Sequence, residues 1–170
     1  MKFLEKDLEE IIFETSNKEL NERGLFVYGK KYRQLRIGNY GVADLVFVER
    51  TPNYAPQGYS DQHLLINVVE LKKDGVGISA FLQALGYVKG IQSYINKRGK
   101  FDRFNVEYKI TLIGSKMKLD SSYTYLSDIL PSLHDCDYDC DFLSNYTFSY
   151  NFDGITFSHK SGYKLINEGF

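Results

Sequence analysis

Three charged side chains stand within or directly after apolar stretches of this sequence, where charge is costly. Asp44 lies in the middle of the stretch GVADLVF, and Glu70 and Lys72 follow the apolar run LLINVV. Burying an unpaired charge is strongly unfavourable, so such groups persist mainly where they pair, bind a metal ion or line a cleft. Asp44, Glu70 and Lys72 are therefore the first candidates for residues that do chemistry.

The spacing of these residues gives them a common geometry if both stretches are β-strands. Successive side chains of a strand alternate between faces, so Glu70 and Lys72 share one face, about 7 Å apart. Antiparallel pairing of the two stretches would bring Asp44 beside Glu70, with Lys72 beyond them. Two alternatives stay open: Glu70 and Lys72 are solvated residues at a strand end, and Asp44 is a core carboxylate bonded to neighbouring backbone.

The chemistry that these groups suit is hydrolysis assisted by a divalent metal ion. Two carboxylates and a backbone carbonyl form the all-oxygen ligand set that Mg²⁺ prefers, and here Asp44, Glu70 and the carbonyl of Leu71 would supply it. Lys72 could orient or deprotonate an attacking water and stabilise developing negative charge. The set therefore predicts phosphodiester hydrolysis with Mg²⁺ or Mn²⁺ as the cofactor.

The hydrophobic pattern predicts the elements that would position these residues. Apolar residues at helical spacing predict an amphipathic helix over 3–14, and apolar runs predict three strands after it. The stretch DGVG predicts a turn, and residues 78–99 predict a second helix whose core side includes Leu82 and Leu85. A further strand over 105–116 follows. This order predicts an α/β fold with a mostly antiparallel meander and one crossover.

These features resemble the PD-(D/E)XK nuclease superfamily. The matching pieces are an aspartate in an apolar strand, GVADLVF, and a second apolar strand ending in Glu-x-Lys, VVELKK, with flanking helices. Asp44, Glu70 and Lys72 occupy the motif positions, and Ala43 stands where the motif has its proline. The resemblance covers roughly residues 3 to 116. It is to the motif rather than to one subfamily, so it implies no particular substrate.

The resemblance implies a restriction-endonuclease-like core of α-β-β-β-α-β order, a mixed sheet flanked by helices. In that superfamily a glutamate on the first helix often joins the metal site, and a glutamine on the second helix often accompanies it. Glu5 is the candidate on the first helix because a helical wheel places it at the edge of the apolar stripe, with Glu9 a step further toward solvent. Gln83, within QALGY, is the candidate on the second helix, together with Tyr87.

Both helix assignments have an alternative. The two glutamates of the first helix could belong to a solvated face. On the second helix a stripe opposite the apolar side could reach the site and its substrate, or could be exposed or face another subunit. That stripe contains Gln83, Tyr87, Gly90 and Tyr94.

Basic residues interleaved with tyrosine form a candidate contact to phosphates. In the superfamily layout the strand KKYRQLR borders the cleft. The candidate nucleic-acid-binding residues are Lys30, Lys31, Arg33 and Arg36 of this strand, Lys73 next to the Glu-x-Lys motif, and Tyr87 of the second helix. The alternative is a solvated edge strand guarded by charged side chains. A second basic cluster, KRGKFDR, is open to the same two interpretations.

Composition restricts the class of protein without identifying its partner. The chain has 170 residues, 43% of them hydrophobic and 25% charged, which suits one soluble domain. A net charge of −1 leaves no global basic surface, which disfavours a DNA-coating protein more than an enzyme with a local basic track. No run reaches membrane-spanning length and the acidic N-terminus does not suit a signal peptide, so we expect no membrane association and a cytoplasmic location.

The C-terminal part differs in character from the nuclease-like core predicted for residues 1–116. Residues 117–170 combine an irregular acidic segment with an alternating stretch that contains an Asp-Gly turn signal. This stretch predicts a β-hairpin extension packed on the same domain. A zinc site is not predicted, because a fourth ligand at the usual spacing is missing from the group His134, Cys136 and Cys140.

Two hypotheses from different classes follow. The first is a divalent-metal-dependent nuclease, an endonuclease for which DNA is favoured over RNA, with Asp44, Glu70 and Lys72 at its centre and Glu5 and Gln83 assisting. Cutting both strands of a duplex would favour a homodimer. The second is a catalytically silent nuclease-like fold that serves as a DNA-binding or assembly module.

Overall fold

The fold is a six-stranded sheet with helices on both faces. The computed structural model describes residues 5–52, 62–118, 122–126 and 142–160. Its helices are α1 (Glu5–Glu14), α2 (Asn17–Glu22) and α3 (Ile78–Asn96). Its strands are β1 (Lys30–Arg36), β2 (Val42–Pro52), β3 (Gln62–Val76), β4 (Phe104–Met117), β5 (Leu143–Asn151) and β6 (Gly154–Lys160).

The strands lie in the sheet in their chain order, β1 to β6. Strands β1, β2 and β3 form an antiparallel meander, and α3 is the crossover that makes β4 parallel to β3. Strand β5 is parallel to β4, and β6 returns antiparallel to β5. The predicted α/β class, the order of the elements and the C-terminal hairpin are confirmed.

Each face of the sheet is buried under a helix. Val68 on β3 belongs to an apolar cluster with Phe81 and Ala84 of α3, whereas its neighbour Val69 belongs to a second cluster with residues of α1 such as Leu8. Burial on both faces explains why β3 reads as a continuous apolar run rather than an alternating one. The charged residues of β3 therefore belong to a strand whose central residues are buried on both faces.

Two local predictions are wrong. The stretch DGVG was expected to be a turn, but Asp74, Gly75 and Val76 belong to β3, with a register irregularity between Lys72 and Gly75. Glu70 and Lys72 therefore stand inside a 15-residue strand. On α3, Leu82 and Leu85 are 58% and 37% exposed. Small residues on the other side of that helix, Ala80 and Ala84 among them, pack against the sheet instead.

The sheet opens into a fork between β2 and β3. Their pairing runs from Pro52 opposite Gln62 to Leu45 opposite Val69 and stops there. Beyond that point β2 stays paired with β1, and β3 stays paired with β4. Backbone groups of β3 that would have bonded to β2 therefore face the fork, and they need other partners.

No helix within the described part of the chain is long and apolar enough to cross a membrane.

Candidate active site

Asp44 lies at the mouth of the fork. Continuing the register by one residue beyond the Leu45–Val69 pair places Asp44 across from Glu70. Its carboxylate Oδ2 accepts a hydrogen bond from the backbone N–H of Leu71 at 2.9 Å. In an extended strand the N–H and C=O of one residue point to the same side, so the carbonyl of Leu71 also faces the fork.

Glu70 is the buried member of the cluster, with only 1% of the residue exposed. Its Oε1 accepts a hydrogen bond from Lys72 Nζ at 2.6 Å. Its Oε2 is buried and has no hydrogen-bond partner among the described residues. A buried carboxylate oxygen without a donor is costly and therefore calls for an explanation, of which a cation is one.

The pKa values of both carboxyl groups are raised, mainly because the groups are buried. Burial, and next the charge of Asp44, raise the pKa of Glu70 from 4.5 to about 7, against the opposing effect of Lys72. Burial is also the main reason why the pKa of Asp44 is raised, and nearby Glu5 and Glu9 add to it. Burial lowers the pKa of Lys72, but its bond to Glu70 and the surrounding carboxylates outweigh burial, so the net pKa is raised.

Glu5, the predicted carboxylate of the first helix, reaches the same fork. Its Oε2 accepts the backbone N–H of Lys73 at 3.1 Å. Leu71 and Lys73 are two positions apart on β3, so their N–H groups point to the same side of the strand. Asp44 and Glu5 thus take the places that acceptors of a paired β2 would have filled.

Glu9 does not lie toward solvent as the helical wheel predicted; it is 6% exposed. Its two carboxylate oxygens accept hydrogen bonds from Arg33 and from Gln34 of β1. Gln34 has a positive φ of 48°, which is rare for a residue with a side chain. Leu35, which follows it, packs in the α3 cluster, whereas Lys31 and Arg33 face α1.

Gln83 connects α3 to the cluster. Its Oε1 lies 3.4 Å from Lys72 Nζ, and its Nε2 donates to the hydroxyl of Tyr87 at 2.7 Å. Tyr87 is only 4% exposed, so its ring offers no free surface for stacking on a base. Tyr87 is placed instead to orient Gln83.

The predicted stripe on α3 is not one exposed face. Gly90 is buried, and a Cβ built on it would lie 2.5 Å from Ile37 Cγ2 and 2.7 Å from Tyr40 Cδ2. Glycine at this position therefore lets the segment between β1 and β2 lie directly against the helix. Tyr94, one turn further on, is 50% exposed.

The cations of β1 divide into two pairs. Lys31 donates from Nζ to carbonyls at the end of α1, those of Ile12 at 2.9 Å, Phe13 at 3.3 Å and Thr15. Arg33 is paired with the buried Glu9. Lys30 and Arg36 are exposed, and Lys30 lies 5.2 Å over the ring of Tyr32.

Lys30 and Arg36 are therefore placed to meet a phosphate without first breaking a hydrogen bond or an ion pair, whereas Lys31 and Arg33 are not. Lys73 is half-buried, and its backbone N–H is the one bonded to Glu5 at the fork. The predicted phosphate track thus narrows to three cations. The group His134, Cys136 and Cys140 lies outside the described residues.

The donor set fits a divalent ion. Asp44 and Glu70 offer carboxylate oxygens, Leu71 offers a carbonyl on the same side, and no described residue donates to Glu70 Oε2. No group of three or more His, Cys, Asp or Glu side chains in the described ranges is arranged to hold a metal ion. That description counts side chains alone, so it does not cover a set of two carboxylates and one backbone carbonyl.

Comparison with known proteins identifies no relative. A scan of the chain against protein-family models finds no match, and neither do searches of curated proteins and of solved structures. The resemblance to the nuclease superfamily therefore depends on the sequence motif and the order of the elements.

Proposed function

We propose that this chain is a divalent-metal-dependent nuclease that hydrolyses phosphodiester bonds of nucleic acid, with DNA as its substrate and internal cleavage as its mode. One observation supports this most. At the fork an acidic pair, Asp44 and Glu70, stands beside Lys72 with a buried carboxylate oxygen, Glu70 Oε2, left without a donor. A purely structural ion pair would not need the second carboxylate or the open strand edge.

Asp44, Glu70 and the carbonyl of Leu71 would hold Mg²⁺ or Mn²⁺. A bound divalent ion polarises the phosphodiester, neutralises its charge and lowers the pKa of water. Because both carboxyl pKa values are raised by burial, a cation at this position would favour the charged form of both groups.

Lys72 would act on the substrate from the same strand face as Glu70. Its raised pKa keeps the ammonium protonated at neutral pH. It is therefore suited to orient the attacking water and to stabilise negative charge on the phosphate in the transition state, rather than to remove a proton. Gln83 holds the ammonium from the other side, with Tyr87 behind it.

Glu5 would keep the fork open. By accepting the N–H of Lys73 it satisfies a backbone donor that would otherwise favour closing of β2 onto β3. The exposed Lys30 and Arg36 on β1 would contact the phosphate backbone of the substrate.

The test is a cleavage panel with matched variants. Single-stranded, duplex and branched DNA and single-stranded RNA are incubated with Mg²⁺ or Mn²⁺ and with wild-type protein or Asp44→Asn. We expect cleavage of at least one DNA by the wild type, and none by the variant or in EDTA. Asp153→Asn, on the β5–β6 turn, is the control that removes a carboxylate elsewhere. Absence of cleavage of every substrate with both metal ions would reject the nuclease.

A second candidate is the binding or assembly module without turnover. The direct bond between Lys72 and Glu70 favours this candidate, because one of the carboxylate oxygens that would bind the metal ion already accepts a hydrogen bond from Lys72. Titration with Mn²⁺ separates the two candidates. A competent site that binds the ion only when folded should raise the melting temperature, whereas a silent module should show little change.

A further inference from the structure

A cleft of about 330 Å³ lies at the other end of the sheet, between the last turns of α3 and the start of β4. Among its lining residues are the amides Gln92 and Asn96, the rings Phe101, Phe104 and Tyr108, and one carboxylate, that of Asp102. Val106, also in the lining, is about 20 Å along β4 from Leu112, the register partner of Glu70, at roughly 3.3 Å per residue. The cleft is therefore separate from the candidate active site.

The aromatic side chains of the cleft are partly exposed rather than sealed in the core. Phe101, Phe104 and Tyr108 pack against the α3 cluster with one part of each ring and line the cleft with another. The rings of Phe101 and Phe104 are tilted by 57° with centroids 6.1 Å apart.

Three cations lie over aromatic rings, two over rings of the cleft and one over Tyr94 beside it. The guanidinium of Arg50 lies 5.1 Å over Phe104, Lys100 Nζ lies 5.0 Å over Phe101, and Arg98 lies 4.3 Å over the exposed ring of Tyr94. Arg50 meets Phe104 from two strands away, since its register partner on β3, Leu64, is itself opposite Val106 on β4.

None of these three cations has an acidic partner among the ion pairs of the described residues. Each is held by an aromatic face, which keeps it near the cleft without neutralising its charge. Positive charge, aromatic faces and amides that can bond to a base edge thus meet at one place.

We propose that this cleft and its rim bind a segment of single-stranded nucleic acid, with one base in the cleft. Base stacking on aromatic faces beside cations that track the phosphates is the general chemistry of such binding. The cations and rings extend past the cleft to Tyr94 and Arg98, which is more surface than one nucleotide covers. This favours a strand over a free mononucleotide. The proposal goes beyond the nuclease and does not depend on it, because binding needs no metal ion.

The test measures binding of fluorescein-labelled dT12 by anisotropy in EDTA. Phe101→Leu keeps apolar bulk and removes the ring, and it should weaken binding about fivefold or more. Phe152→Leu, a fully exposed phenylalanine on the β5–β6 turn, is the matched control and should bind as the wild type does. Lys100→Gln should weaken binding and reduce the log–log salt slope by about 0.7, whereas Lys18→Gln on α2 should leave both unchanged.

Location is read by photo-crosslinking. An oligonucleotide carrying 5-iododeoxyuridine should crosslink to the peptide that contains Phe101 and Phe104, or to Tyr94. Lys100→Gln keeps the test decisive if Phe101→Leu melts early, since Lys100 is exposed. Three results would each overturn the proposal: no binding of dT12, variants that bind like their controls, or crosslinks only elsewhere. Competition by dTMP as strong as that by unlabelled dT12 would also overturn it, in favour of a nucleotide pocket.

Discussion

The carboxylate of Asp44 accepts the N–H of Leu71 at 2.9 Å, at the point where the backbone ladder between their strands has ended. A side chain of β2 thus replaces a backbone carbonyl of β2. Glu5 does the same for Lys73 from a helix. The strands are held apart by carboxylates rather than by a turn or a proline, and the acidic groups are concentrated at the opening that they create.

Asp44→Asn should abolish cleavage while the fold is kept. The amide oxygen of asparagine can still accept the N–H of Leu71, but the ligand charge is lost. In EDTA at neutral pH the variant should melt at the same or a higher temperature, because a carboxylate beside Glu5, Glu9 and Glu70 is removed. The gain is about 1 kcal/mol or less. Wild-type cleavage by this variant would exclude Asp44 from the site.

Lys72→Met should affect turnover more than metal binding. The variant keeps the apolar stem and removes the charge, so the cleavage rate should fall at least about a hundredfold while Mn²⁺ affinity holds or improves. Both oxygens of the buried Glu70 then lack a donor, and the metal-free protein should lose about 2 kcal/mol or more. Lys116→Met, an exposed lysine on β4, is the control. Cleavage by Lys72→Met at the wild-type rate would contradict the proposed role of Lys72 in the mechanism.

Glu70 should make stability fall as pH rises. Its pKa in the folded protein is about 7, above the 4.5 of the unfolded chain, so between these values the folded state binds more protons. The free energy of unfolding should decrease by about 1 kcal/mol per pH unit across this window and stay level above it. Urea unfolding of the wild type and Glu70→Gln at pH 5 and pH 7.5 isolates the effect. An equal pH dependence in both proteins would contradict the raised pKa.

The two pairs of cations on β1 should have different roles. Lys30→Gln with Arg36→Gln should reduce the salt slope of duplex binding by about 0.9 per lost phosphate contact and leave the melting temperature unchanged. Lys31→Gln with Arg33→Gln should instead lower the free energy of unfolding. These two hold the end of α1 and the buried Glu9. A normal melt for the second pair would show that those contacts contribute little.

Two glycines of α3 form a matched pair for the fold. Gly86→Ala meets no heavy atom within 4 Å and should stabilise the helix by about 1 kcal/mol or less. Gly90→Ala would place Cβ against Ile37 and Tyr40 and should destabilise by about 1–3 kcal/mol. Chemical denaturation measures both. Equal effects would mean that the segment between β1 and β2 moves away from the helix at no cost.

Strand alternation and apolar runs were sufficient to predict the elements and the meeting of Asp44, Glu70 and Lys72. Those features depend on repeat periods of two and of about 3.6 residues, which a sequence displays directly. The place of Glu9 depends on Arg33 and on the positive φ of Gln34, which no periodicity carries. The same holds for Lys31, whose partners are carbonyls at the end of a helix. The prediction for Leu82 and Leu85 was wrong because α3 has apolar residues on both sides, and the side with the small alanines packs against the sheet.

Helix α3 fixes the distance between the candidate active site and the cleft at the other end of the helix. Its 19 residues span about 28 Å at roughly 1.5 Å per residue, with Gln83 near its first turns and Ile95 in its last. A packed helix cannot shorten, so a strand held by its base at the far end would present the same phosphate to Lys72 in every encounter. Products of a long substrate would then share one constant length measured from the gripped nucleotide.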